Sequence, residues 1–355
     1  MTNLRSNGNL ALALLLTLAA IAPLFARDGS QAVPPLYGPA GVSPAAVRQG
    51  TLGSCYFHST IAAIANQKPD ALRGAIEDIG GGSYRVRFLD AQAETVELGD
   101  VMYARQNNFD NSDGLWVVVL LRGMAQRTMR EMLVASIDAT PLPKSARETA
   151  TTIVKSSDQI LLAYDRAIRS ATSQDGTLNR EILRNKLNQS VDALKIPFFI
   201  SKPVIDFLDE QGFFEVLSNK VHQNGELFGA YRSVGQGGLP TRVMEAFYSP
   251  AHSVNLQTSE QARADLKVMQ QQGLPMVAIS ADRLDGTIQL RVHSHGESQD
   301  WFVGNHAYTV LAYNMQTDMV TVRNPWADHP EPDGVFTIST SDFVSAYPIL
   351  ALANR

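Results

Sequence analysis

An α+β fold is predicted from the order of patterns along the chain: helical periodicity dominates from residue 55 to about 231, short β-rich runs fill the last third, and the two do not alternate. Helices and sheet are therefore expected in separate lobes rather than in a wound parallel sheet. At 355 residues and 45% hydrophobic, the chain has enough apolar material to bury a sizeable core.

Residues 1–26 read as a signal peptide. Arg5 supplies a positive start, Leu10–Ala22 is apolar, and Ala26 precedes charged Arg27. The run is shorter than the roughly 18 to 20 residues that span a bilayer, so export without a stable membrane anchor is expected, to the periplasm or outside the cell. The formal charge of −5 has its basic residues scattered, which argues against a nucleic-acid partner. Exported proteins usually pair their cysteines, yet Cys55 is the only one here. A reactive thiol and a small buried hydrophobe are both consistent with that count.

Residues 27–48 are rich in proline, glycine and alanine and read as an extended lead-in. Phe57, Ile61, Ile64 and Ala65 follow at helical spacing and stop at Asn66 and Pro69, so Cys55 begins a helix. Tyr84–Leu89 and Glu94–Leu98 form a predicted hairpin, whereas the wholly apolar Leu115–Met124 fits either a strand or a helix. Leu161, Tyr164 and Ile168, then Leu183 and Leu187, mark helices in a segment broken at Pro197 and Pro203. Strands are expected at Gln289–Val292, Ala307–Ala312, Met319–Arg323 and Val335–Ile338. The boundaries that result are a lead-in at 27–48, an N-terminal lobe at 49–140, a helical insertion at 141–231 and a C-terminal β lobe at 232–355.

A thiol nucleophile needs help to ionise, and a helix start offers free N–H groups and a favourable dipole, with a protonated imidazole expected to supply the rest. Gly53 leaves room for a substrate backbone beside Cys55. His306 opens one predicted strand and Asn324 closes the next, with the polar stretch Asn314–Asp318 centred near their midpoint. An antiparallel hairpin then sets the imidazole against an amide oxygen that fixes its tautomer, the orienting role of a triad's third member.

Gln49–Phe57 resembles the nucleophile segment of calpain-type cysteine proteases, and Gly304–Tyr308 and Arg323–Trp326 resemble their histidine and asparagine segments, in the family's order. Asp113–Val117, Gly237–Gly238 and Glu245–Phe247 are similar to further core segments of that family, so the resemblance extends, with interruptions, from Gln49 to Tyr347. It implies a papain-like two-lobed fold with the nucleophile on the helical lobe and His/Asn on the β lobe. Cys55 is then nucleophile, His306 base and acid, Asn324 orienter, Gln49 oxyanion donor and Trp326 the shield over the His–Asn bond. The implied activity is endopeptidase cleavage of a protein or peptide through an acyl-enzyme. Acyl transfer, glutamine deamidation and an inactive binding protein are alternatives on the same scaffold.

Ser54 and Tyr56 depart from the aspartate and tryptophan usual in the family, and His58 stands where it has an apolar residue. The implied chemistry needs no cofactor. Calcium is left open: Asp328, Glu331 and Asp333 gather acids in one loop, which a solvated surface explains better than a calcium site does. No metal site is assigned. His293, His295 and Glu297 have metal-ligand spacing but suit a solvated loop, His58 suits packing better than catalysis, and Trp116 suits the core.

Overall fold

The computed structural model describes residues 33–90, 92–172, 178–193, 206, 209–217, 229–235, 237–282, 302–328 and 333–354. The predicted leader, the strand at Gln289–Val292, the His293–Glu297 group, Pro197, Pro203 and Glu331 lie outside the described residues. Pro35–Arg355 fold as one unit.

The lead-in is more than a tether. Tyr37 bridges Gly114, Pro44–Ala46 make one 3-10 turn, and Val42, Ala46 and Val47 are buried. Helix α1 (Cys55–Gln67) follows, and every residue from Tyr56 to Ala65 is buried, as for a helix wrapped on all sides. Pro69, whose missing N–H costs nothing at a first helical position, starts α2 (Pro69–Gly74). Next comes an antiparallel sheet in the order β1 (Ile76–Gly80), β2 (Ser83–Arg87), β3 (Ala93–Glu97). The predicted hairpin is β2–β3, with Tyr84 opposite Val96. These strands lie between helices, so the expectation of helices first and strands last holds only for the larger sheet.

Helix α3 (Leu98–Gln106) leads to α4 (Trp116–Ala139), which settles the ambiguous apolar run as helix. Trp116 to Gln126 are all buried, and a run enclosed on every side shows no periodicity. The inserted helices α5 (Lys144–Ser156), α6 (Asp158–Ala171) and α7 (Arg180–Ala193) join α4 in one apolar cluster through Val154, Leu161, Ile168 and Leu183. Two guanidinium groups fasten them further. Arg122 on α4 is fully buried, 3.0 Å from both Asp165 of α6 and Asp100 of α3. Arg130 reaches Glu94 of β3 at 2.6 Å, Asp158 at 2.8 Å and the Val154 carbonyl. Stripping one partner from a buried pair costs roughly 3 to 5 kcal/mol, so these helices belong to the fold's core.

After α8 (Gly229–Gly235) and α9 (Pro240–Phe247) the chain builds a six-stranded antiparallel sheet. Its members in chain order are β4 (Ala251–Asn255), β5 (Met276–Ile279), β6 (Ala307–Asn314), β7 (Met319–Arg323), β8 (Val335–Ser339) and β9 (Ile349–Ala353), arranged β4-β9-β5-β6-β7-β8. Helix α10 (Ser259–Gln272) precedes β5 and α11 (Thr340–Ala346) precedes β9. The strands alternate between two cores. Val277, Ala307, Ala351 and Ala353 belong to the cluster that includes α1, whereas Tyr308, Val310, Phe336 and Leu350 join Leu266, Phe343 and Tyr347 on the opposite face. Small side chains on the first face let α1 lie close to the sheet. The fold is therefore α+β with two sheets.

Candidate functional site

Three hydrogen bonds dock α1 on β6. Ser59 Oγ donates to the Ala307 carbonyl at 2.7 Å, Thr309 Oγ1 to the Ser59 carbonyl at 2.9 Å, and Asn66 Nδ2 to the Leu311 carbonyl at 2.9 Å. Cys55 is one turn before Ser59, so it comes down beside the His306–Ala307 peptide. Its thiol is half-buried, and the N–H groups of Ala307, Tyr56 and Cys55 itself favour its charged form. Burial nonetheless pushes the thiol above its ordinary value, with those N–H groups opposing the shift. The amides at the helix start favour the anion, as expected, but desolvation outweighs them.

His306 is fixed through its backbone. Its N–H donates to Ser280 Oγ at 2.9 Å, and its carbonyl accepts from the Ser280 N–H at 2.9 Å. A Cβ on Gly304 would fall 1.9 Å from the Asp282 carbonyl oxygen, so only glycine lets the two chains pass there. Asn305 takes a left-handed φ of 51° and ties its side chain to Asp282 at 2.6 Å, a conformation asparagine tolerates better than most residues.

His306 Nε2 lies 3.0 Å from Asn324 Oδ1, both residues being buried. The Trp326 N–H donates to the same Oδ1 at 3.1 Å. A backbone N–H can only donate, so that atom is the amide oxygen; Nε2 then carries the proton and Nδ1 of the neutral ring is left as acceptor. Tyr308 meets the imidazole edge-on at 5.0 Å and Trp326 covers it at 4.8 Å, Trp326 itself being 37% exposed. Burial pushes His306 down to about 4, against the Asn324 bond that favours the charged form.

The His–Asn contact arises differently from the midpoint argument. The β6–β7 ladder pairs Thr309 with Arg323, so extending it puts Tyr308, not His306, across from Asn324. A bulge between Val310 and Ala312 shifts the register, and His306 reaches Asn324 as a diagonal neighbour beyond the ladder.

Gln49 lies between the two halves of the site. Its N–H donates to the Pro325 carbonyl at 2.8 Å and its side-chain Nε2 to the Leu52 carbonyl at 2.5 Å, with Oε1 buried and unpartnered. One amide N–H is committed to Leu52, leaving the other to point elsewhere. A Cβ on Gly53 would meet the Gly235 carbonyl at 2.5 Å, so the chain's own packing requires glycine there, while the residue stays exposed beside Cys55.

His58 is fully buried and held at both nitrogens. Nδ1 lies 3.0 Å from the Ser54 carbonyl and 3.1 Å from Ser54 Oγ, and Nε2 lies 3.0 Å from Asp110. Asp110 in turn accepts from Ser112 and Arg105. This string was not legible in the sequence, since Asp110 is 52 residues from His58 and no motif joins them. Trp116 is buried in the core. Asp333 accepts from the Val335 N–H at 3.1 Å, and among the described residues no three His, Cys, Asp or Glu side chains gather as a metal site.

The arrangement sets a half-buried thiol on the helix that packs against the strand of an amide-oriented imidazole, chemistry suited to nucleophilic attack with proton transfer. No family model matches the chain, and no curated protein sequence matches it either.

Proposed function

We propose that this chain is an exported cysteine endopeptidase of calpain-like type, in which a helical lobe and a β lobe meet in a papain-like layout. The observation that carries the reading is the buried 3.0 Å bond from His306 Nε2 to Asn324 Oδ1, which leaves Nδ1 as a base on the strand against which the Cys55 helix is docked. No helix among the described residues is long and apolar enough to cross a membrane.

In this reading Cys55 gives its proton to His306 Nδ1 as the sulfur attacks the scissile carbonyl carbon. Charge on the carbonyl oxygen is met by the Cys55 N–H and by the Gln49 side-chain N–H not bound to Leu52, donors worth roughly 3 to 4 kcal/mol each in comparable sites. The imidazolium, held at Nε2 by Asn324, returns the proton from Nδ1 to the leaving amine, and a thioester remains. Water then gives a proton to Nδ1 and attacks the thioester, releasing a carboxylate product and the thiol. No step requires a metal.

The test is casein cleavage by the mature protein, with iodoacetamide labelling of Cys55 alongside. His306→Ala is expected to slow both, cleavage by about a thousandfold. Cleavage that survives His306→Ala would sink the dyad, and fast labelling with no cleavage of any protein substrate would retire the endopeptidase reading in favour of acyl transfer. The mass of the exported protein checks the cut after Ala26.

A further inference from the structure

Val47 is extended and Gln49 pairs antiparallel with Asp110, so the short strip 47–49 behaves as a strand whose backbone groups alternate in direction. Arg48 faces the helical side: its N–H donates to Ser112 Oγ at 2.8 Å, and its carbonyl accepts from the Asn111 N–H at 2.9 Å. The Val47 carbonyl and the Gln49 N–H face the other way, toward the end of β7. There the Gln49 N–H donates to the Pro325 carbonyl at 2.8 Å. In a regular parallel pairing the residue that accepts from Gln49 also donates its own N–H to the Val47 carbonyl, but proline has no N–H to give. Arg323 supplies the missing donor, its Nη2 lying 2.6 Å from that carbonyl.

Arg323 is 1% exposed, and Val47 and Gln49 are buried with it. Its Nε and Nη1 are buried without a hydrogen-bond partner among the described residues, and burial pushes the guanidinium down to about 10, which leaves it charged at neutral pH. Taking a charge out of water is costly, and a bond in such a dry place is correspondingly strong. The one bond made joins the residue just before Asn324 to the carbonyl two residues before Gln49. We infer that Arg323 is a positioning residue: standing in for the N–H that Pro325 lacks, it closes the second bond of a latch that holds Gln49 in register with Asn324, and so sets where the Gln49 amide meets the developing oxyanion. It acts through Gln49 and not on the reacting atoms. The inference rests on Gln49 being the oxyanion donor of the preceding section.

The experiment compares two reactions of the mature protein. Casein cleavage builds an oxyanion; iodoacetamide alkylation of Cys55 displaces iodide at a saturated carbon and builds none. Arg323→Met keeps the length of the side chain and removes the donor. Cleavage is expected to slow about tenfold, in kcat rather than KM, with alkylation within about twofold of wild type. Gln49→Ala is expected to slow cleavage about a hundredfold, and adding Arg323→Met to it should cost less than about twofold more, because the group being positioned is gone. Pro325→Ala puts an N–H where the pairing lacks one, so Arg323→Met/Pro325→Ala should cleave within about threefold of Pro325→Ala alone. Cleavage by Arg323→Met at the wild-type rate, alkylation slowed as much as cleavage, losses that multiply in the Gln49→Ala background, or no relief by Pro325→Ala would each overturn the inference. Where Arg323→Met fails to fold by circular dichroism, Arg323→Lys, which keeps the charge and misplaces the donor, takes its place under the same criteria. If Gln49→Ala cleaves like the wild type, the reading of Gln49 has failed and the latch with it; if Gln49→Ala is slow and Arg323→Met is not, only the latch has.

Discussion

His58 and His306 are both buried, and each has Nε2 at 3.0 Å from a side-chain oxygen, but that oxygen belongs to Asp110 in one case and to Asn324 in the other. Asp110 is itself gripped by Arg105 and Ser112, and His58's second nitrogen is engaged by Ser54, so the whole ring is committed. Asn324 is a neutral partner that takes one nitrogen of His306 and leaves the other for a proton in transit. The number of committed nitrogens, more than burial, separates a histidine that holds a structure from one that can turn over.

The sharpest break of this contrast exchanges the two losses. His306→Ala is expected to reduce cleavage about a thousandfold with a native melting curve, whereas His58→Ala takes one of several partners from buried Asp110 and leaves a cavity, and is expected to cost roughly 2 to 4 kcal/mol of stability in urea titration. Equal stability losses in the two variants would erase the distinction.

A second test uses acid. His306 is pushed down to about 4 in the folded chain from an ordinary 6.5, so the unfolded chain binds the extra proton first. Its contribution to stability is present above about 6.5 and is lost as pH falls toward about 4, on the order of 3 kcal/mol in all. Urea titrations across that window should lose this slope in His306→Ala and keep it in Trp116→Phe. A slope unchanged by His306→Ala would mean that the ring is not held neutral.

The smallest effect concerns the cover. Trp326→Ala removes the ring 4.8 Å from His306 while Oδ1 keeps its backbone donor, and should lower kcat by roughly fivefold, about 1 kcal/mol, with KM little changed.

Much of this was written locally. The spacing of Phe57, Ile61 and Ile64 predicts α1, and β7 has the predicted bounds Met319–Arg323. Local patterns ran out where partners are distant or where burial is complete. β5 and β9 are short apolar runs without alternation, and α4 is so enclosed that its apolar stretch fits either state. The turn pairs Asn314 with Met319, which alone would put Thr309 across from Asn324; the bulge in β6, which the turn residues do not encode, brings the register one residue nearer His306. Cys55, His306 and Asn324 could be singled out because each sits in a recognisable short segment; Ser280 and Asp110 could not, because what they do depends on chain that folds back from far away.

The face of the large sheet under α1 carries Val277, Ala307 and Ala351, while the opposite face carries Tyr308, Phe336 and Leu350. The separation between the Cys55 helix and the His306 strand is thus set by methyl groups that are missing. As the sequence drifts, the aromatic face can exchange one large side chain for another and repack locally. On the alanine face a single enlargement acts as a shim that lifts Cys55 from His306, so changes there must arrive in compensating pairs or not at all.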